Sequence, residues 1–74
     1  MKEDEFYKKL GKQIKFLREN AHLTQEKLAE NSGISLDYLG KIEVDINKPG
    51  LKTLLKISNA LNLPIKKLFD FKEI

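Results

Sequence analysis

Thr24–Glu43 reads TQEKLAENSGISLDYLGKIE, and its small, glycine and apolar residues fall where two short helices crossing at a tight turn need them. Thr24 is an N-cap that starts the first helix, Leu28 and Ala29 face inward, and Gly33 supplies the φ > 0 residue that ends it. A side chain larger than Ala29 would push the helices apart where they cross, and a Cβ at Gly33 would be costly in a left-handed turn. Ile34 fills the corner, Ser35 caps the second helix, and Leu39 and Ile42 return to the core at i, i+3 spacing. Each signal alone recurs by chance. In register over 20 residues, they specify a helix-turn-helix.

On the amino-terminal side, Phe6, Leu10, Ile14, Leu17 and Ala21 mark one face of a helix from about Asp4 to Asn20. Lys8, Lys12 and Lys15 line the opposite face, an arrangement that an ordinary solvated surface also produces. Phe16 sits on that polar side, where it either packs under the carboxyl-terminal tail or belongs to a partner surface. The motif helices span about Gln25 to Asn31 and Leu36 to Glu43, and VDINKPG follows as a loop bent by Pro49, which steers Lys48 away from helix. Leu51, Leu54, Leu55, Ile57, Ala60 and Leu61 predict a fourth helix, apolar over much of its circumference and the central core element. Asn62 suits its left-handed closing residue, and Leu63 with Pro64 restarts the chain as a fifth short helix through Ile65, Leu68 and Phe69. The expectation is one all-α, five-helix domain over residues 1–74, with its core at about 6–69 and a tail at 70–74.

With 74 residues, 41% of them hydrophobic, there is room for one modest core. No cysteine is present, so neither a disulfide nor a thiolate metal site compensates for small size. No apolar run approaches the ~20 residues that span a bilayer, and MKEDEFYKKL is too charged for a signal peptide, so a soluble, cytoplasmic protein is expected. The lone His22 has no partner residues for a metal, the glycines form no phosphate loop, and no nucleophile sits beside a base. No catalytic residue, cofactor or metal is expected. The net charge of +3 suits a nucleic-acid partner. Thr24–Lys48, however, holds three lysines against five acids, so the reading unit is itself net negative. DNA affinity is therefore expected from helix N-termini, backbone N–H groups and flanking lysines more than from a basic recognition helix.

From about Leu10 to Phe69 the chain resembles the phage repressor and Cro-like helix-turn-helix family, also called the Xre family. The segments that carry the likeness are LGKQIKFLRENAHLTQEKLAENSGISLDYLGKIE, then NKP, then LKTLLKISNALNLPIKKLF. The resemblance implies a compact lambda-repressor-like fold that binds the major groove of double-stranded DNA. It also implies a buried ion pair between an arginine late in the first helix and a glutamate closing the recognition helix, here Arg18 and Glu43. Both follow core residues, Leu17 and Ile42, and so sit at the edge of the apolar face.

With Leu39 and Ile42 inward, Leu36, Asp37, Gly40 and Lys41 occupy the exposed arc of the recognition helix and are the base-contact candidates. Lys41 can donate to guanine O6 and N7, Asp37 can accept from cytosine N4, and Leu36 can touch a thymine methyl. Asp37 reads equally as a first-turn carboxylate that complements the helix dipole. Gly40 costs about 1 kcal/mol relative to alanine inside a helix, which suggests close approach by something, DNA being one candidate; many relatives have serine there. Resemblance makes Gln25 a phosphate contact, and Asn47 with Lys48 a second backbone clamp, although Asp45 stands where relatives often have glycine. Tyr38 can offer its hydroxyl to a phosphate or pack at the core edge.

The expected function is a small transcriptional regulator, of repressor or restriction-modification controller type, that binds a pseudo-palindromic operator as a homodimer. Family members also include antitoxins and proteins that mainly bind other proteins, so a toxin or other protein partner is the rival expectation, and the acidic reading unit favours it. The tail LPIKKLFDFKEI carries Leu63, Ile65, Leu68, Phe69, Phe71 and Ile74, more apolar surface than one small core covers. With Leu63 and Leu68 claimed by the fourth helix, Ile65, Phe69 and Phe71 are the expected exposed set and dimer interface, rimmed by Lys66, Lys67 and Lys72. Relatives commonly dimerise through their last helix.

Overall fold

A computed structural model describes residues 1–71; Lys72 and Ile74 of the expected tail interface lie outside them. The described residues form four α-helices and a 3-10 helix: α1 Glu3–Asn20, α2 Gln25–Ser32, α3 Leu36–Glu43, α4 Leu51–Ala60 and the 3-10 helix Ile65–Phe69. Among the described residues, no helix is long and apolar enough to cross a membrane.

Acidic Glu3, Asp4 and Glu5 open α1 and Arg18 lies in its last turn, both favourable against the helix dipole. The helix ends when His22 takes a left-handed φ of 59°, which lets the Leu23 N–H bond the Arg18 carbonyl at 3.1 Å. That reversal leaves Ala21 exposed, contrary to its expected place on the inner face. The motif turn forms as its residues require: Thr24 Oγ1 accepts from Lys27 N at 3.0 Å, Ser35 Oγ accepts from Tyr38 N at 3.0 Å, and Gly33 adopts φ 70°.

Leu10 and Ile14 of α1, Leu28 and Ala29 of α2, Leu39 and Ile42 of α3, Leu54 and Ile57 of α4, then Leu61 and Leu68 form one buried cluster. The fourth helix is buried over a narrower face than its composition suggests. Leu54, Ile57, Ser58 and Leu61 line one stripe at 3.6-residue spacing, whereas Leu51, at the first position of the helix, and Leu55, at the edge of that stripe, are 69% and 49% exposed.

The fifth helix is 3-10, not α. Five residues after the extended Pro64 close on an i→i+3 bond, Lys67 N to Pro64 O at 2.9 Å, which is the tighter geometry short segments favour. Its side chains also correct an expectation: Ile65, Phe69 and Phe71 are half-buried and packed against the core rather than a free exposed set. The reason is Phe6, whose ring stacks on Phe69 with centroids 6.0 Å apart and tilts against Phe71 at 5.7 Å. Gln13 fastens the same segment by donating from Nε2 to the carbonyls of Lys67 at 2.9 Å and Asp70 at 3.3 Å. The tail thus folds over Phe6, while Phe16 stays exposed.

Among the described residues, the buried Ser32 hydroxyl has no hydrogen-bond partner. Ser32→Ala removes that desolvated group and gains helix propensity, so it is expected to stabilise the domain by about 1 kcal/mol. A thermal melt should rise by several degrees; a fall would show that the hydroxyl is satisfied after all.

Candidate nucleic-acid interface

The fold presents one face of α3 and buries the other. Leu39 and Ile42 are fully inside, Leu36 and Asp37 are exposed, and Gly40 and Lys41 are half-exposed, so the four base-contact candidates share one accessible arc. Two of them touch: Lys41 Nζ lies 3.0 Å from Asp37 Oδ2 at i, i+4 spacing. A Cβ added to Gly40 would meet only the Gln25 carboxamide, at 3.8 and 4.0 Å, which is ordinary contact. Nothing within the described fold demands glycine there.

Behind this arc, α3 is fixed by a buried fork. Arg18 Nε donates to Glu43 Oε2 at 2.8 Å and Nη2 to Glu43 Oε1 at 3.1 Å, with the two residues only 8% and 5% exposed. Arg18 Nη1 also donates to the Leu23 carbonyl at 2.9 Å. Hydrogen bonding to Glu43 raises the Arg18 pKa above its ordinary value, against the opposing effect of burial. The guanidinium therefore stays charged throughout the working pH range.

Gln25, expected to meet a phosphate, has a second attachment that the sequence did not disclose. Its Nε2 donates to Glu43 Oε1 at 2.9 Å, joining the first residue of α2 to the buried pair. One hydrogen of that amide and the unpaired N–H groups of the α2 N-terminus are the donors left for an anion.

The loop after α3 folds back on it, with Ile46 N and Asn47 N both bonding the Lys41 carbonyl at 2.8 and 3.1 Å. Asp45 makes this possible at φ 63°. Lys48 does not stand free as a clamp: its ammonium is 3.7 Å from Asp45 Oδ1 and 5.5 Å from the Tyr7 ring centroid. Tyr38 packs its half-buried ring against the core. Lys8 and Lys12 line a shallow depression with Glu43, Val44 and Asp45, so part of the α1 lysine stripe lies beside the carboxyl end of α3. Among the described residues no group of three or more His, Cys, Asp or Glu is placed to hold a metal ion.

Comparison with known proteins agrees with this architecture. The family described as helix-turn-helix matches residues 14–68. A 10 kDa protein of the ImmF control region of Bacillus phage phi105 is 41% identical over 61 residues, spanning 82% of this chain and 68% of that protein. The immunity repressor protein of the same phage is 39% identical over 56 residues, 76% of this chain. The chain spans only 39 to 42% of the length of the repressor and of comparable curated transcriptional regulators. Among solved structures, the restriction-modification controller protein C.AhdI from Aeromonas hydrophila superposes with a TM-score of 0.84 at 33% identity, covering 85% of this chain and 96% of that one.

Proposed function

This chain belongs to the helix-turn-helix family, and from that premise we propose that it is a transcriptional regulator of repressor or restriction-modification controller type. It binds double-stranded DNA through the major groove, as a cytoplasmic homodimer on a pseudo-palindromic operator. The observation that carries this reading is the exposed arc of Leu36, Asp37, Gly40 and Lys41 on a helix whose inner face is locked by Leu39, Ile42 and the Arg18–Glu43 fork. A rigid helix with one free face is what base-edge readout needs. Gln25, Tyr38, Asn47 and Lys48 are assigned to phosphates; Lys48 would exchange Asp45 for a phosphate on binding. The relatives named as a repressor and a controller support the same reading.

A salt titration with DNA fragments selected by the purified protein tests it. Affinity should fall steeply as salt rises, because phosphate contacts release counterions. Gln25→Ala should weaken every bound sequence nearly uniformly and leave the selected sequence unchanged. Binding that ignores salt would favour the second reading, a protein partner such as a toxin. The acidic balance of Thr24–Lys48 and the exposed Val44, Ile46 and Leu51 speak for that alternative.

For the dimer, we assign the outer edges of Ile65, Phe69 and Phe71 to an isologous two-fold contact, placing two recognition helices about 34 Å apart on one face of the duplex. Sedimentation at micromolar concentration should show a monomer–dimer equilibrium. A monomer at every concentration would remove this interface. Phe69→Glu is unsuitable as a probe, since the charge would also break the stack on Phe6.

A further inference from the structure

We propose that Asp37 and Lys41 act as one reader of a single C·G base pair, rather than as two residues reading separate positions. This inference rests on the DNA-binding reading above and specifies what its recognition helix selects. The carrying observation is the contact between the two side chains: Lys41 Nζ and Asp37 Oδ2 are 3.0 Å apart, with those side chains 45% and 77% exposed on the free arc of α3. A donor and an acceptor are thus presented side by side at hydrogen-bond spacing. In a C·G pair the cytosine N4 amino group and the guanine O6 are themselves hydrogen-bonded at about 2.9 Å, with one amino hydrogen and one O6 lone pair still facing the major groove.

The two arrays are complementary atom for atom. Asp37 accepts the outward N4 hydrogen, Lys41 donates to O6 and reaches the adjacent N7, and the Lys41–Asp37 contact closes the ring. The chemistry can supply each bond, because an ammonium has three donors and a carboxylate only acceptors. Since the pair is formed before DNA arrives, the two side chains are already held together when they meet the base.

The same array discriminates against the other base pairs. An A·T pair also offers a donor next to an acceptor, adenine N6 beside thymine O4. There the carboxylate would lie against adenine N7, an acceptor, and the ammonium against the thymine methyl instead of a second acceptor. Reversing the pair to G·C puts the carboxylate on O6. The order of Asp37 and Lys41 along α3 therefore fixes which strand carries the cytosine. It also gives a first-turn carboxylate that complements the helix dipole a role on DNA that offsets its repulsion of phosphates.

The test is selection from a pool of duplexes with randomised centres, followed by competition binding with each base varied in turn, for the wild type, Asp37→Ala, Lys41→Ala and the double variant. Both residues are exposed and outside the core, and circular dichroism checks that all four proteins keep their helices. The wild type should require C·G at one position of each half-site by about tenfold or more over any other pair. Each single variant should lose that preference at the same position, and the double variant should lose no more than either one. Overall affinity should separate the two residues, falling in Lys41→Ala but holding or rising in Asp37→Ala. Losses at two different positions, or an unchanged preference in Asp37→Ala, would overturn the joint reader while leaving DNA binding intact. A wild type that enriches no sequence at all would instead remove the operator reading itself, and this inference with it.

Discussion

Gly11→Ala should unfold this domain about 10 °C earlier than the wild type, although the same substitution in an unobstructed helix is stabilising. Alanine gains about 1 kcal/mol over glycine in a helix interior. At Gly11 that gain is overwhelmed, because a Cβ would lie 2.5 Å from the Ile42 carbonyl oxygen and 3.0 Å from that of Glu43. Both obstacles are backbone, which cannot swing aside as a side-chain end would. The last turn of α3 must retreat from α1, and overpacking of this kind costs about 1 to 3 kcal/mol. The retreat also stretches the Arg18–Glu43 fork, since Glu43 is one of the two residues displaced. We expect a net loss of about 2 kcal/mol, which for a domain of this size is the stated fall in Tm. Gly40→Ala is the matched control. Its Cβ finds only the Gln25 side chain at ordinary distance, so propensity should win and the melt should rise. Equal shifts at the two glycines would show that the α1–α3 crossing is looser than its geometry.

The contrast between these glycines shows what a sequence discloses. Capping hydroxyls, the left-handed Gly33 and the i, i+3 return of Leu39 and Ile42 act within one turn of chain, so their chemistry is readable from neighbours. That is why α3 begins at Leu36 and ends at Glu43 as expected. The closeness of Gly11 to α3 depends on a crossing between segments some 30 positions apart, and no local pattern carries it. A faint signal existed: Gly11 lies on a line with Ile14 and Arg18 at i, i+3, i+7, all three buried. Apolar composition alone is a poor guide at two other places. Leu51 and Leu55 have the composition of core residues but lie at the first position of α4 and at the edge of its buried stripe. Ile65, Phe69 and Phe71 are surplus by composition alone, because Phe6, the partner of the two rings, lies far away in sequence. In the candidate site, the exposed arc follows directly from which α3 residues point inward. The Lys41–Asp37 contact follows from i, i+4 spacing, but the Gln25–Glu43 bond does not, since it joins two elements across the motif.

The second large effect is expected at the buried fork, where either partner alone should cost about 3 kcal/mol while exchanging both costs far less. A domain of this size holds only about 5 kcal/mol of stability in all, so a single loss of that size leaves a substantial unfolded fraction. The asymmetry comes from solvation. Together, Arg18 and Glu43 satisfy each other through two hydrogen bonds; apart, each is a charge held out of water. The two single variants should also differ. In Glu43→Leu the guanidinium keeps the Leu23 carbonyl, its 2.9 Å partner through Nη1, and its side chain is less enclosed than that of Glu43, 9% exposed against 1%. In Arg18→Met the carboxylate of Glu43 keeps, among the described residues, the Gln25 amide as its side-chain donor, so this variant should be the less stable of the two. Arg18→Met with Glu43→Leu replaces both charges by apolar groups of similar reach, and such exchanges are often neutral or better. Here the double variant should stay within about 1 to 2 kcal/mol of the wild type, its remaining cost being the acceptor that Gln25 loses and the donor that the Leu23 carbonyl loses. Denaturant melts of the four proteins complete the cycle, with a coupling of several kcal/mol expected. If the two single losses simply add in the double variant, the fork is not the bond that holds α3 against α1, and the rigidity of the reading helix must come from Leu39 and Ile42 alone.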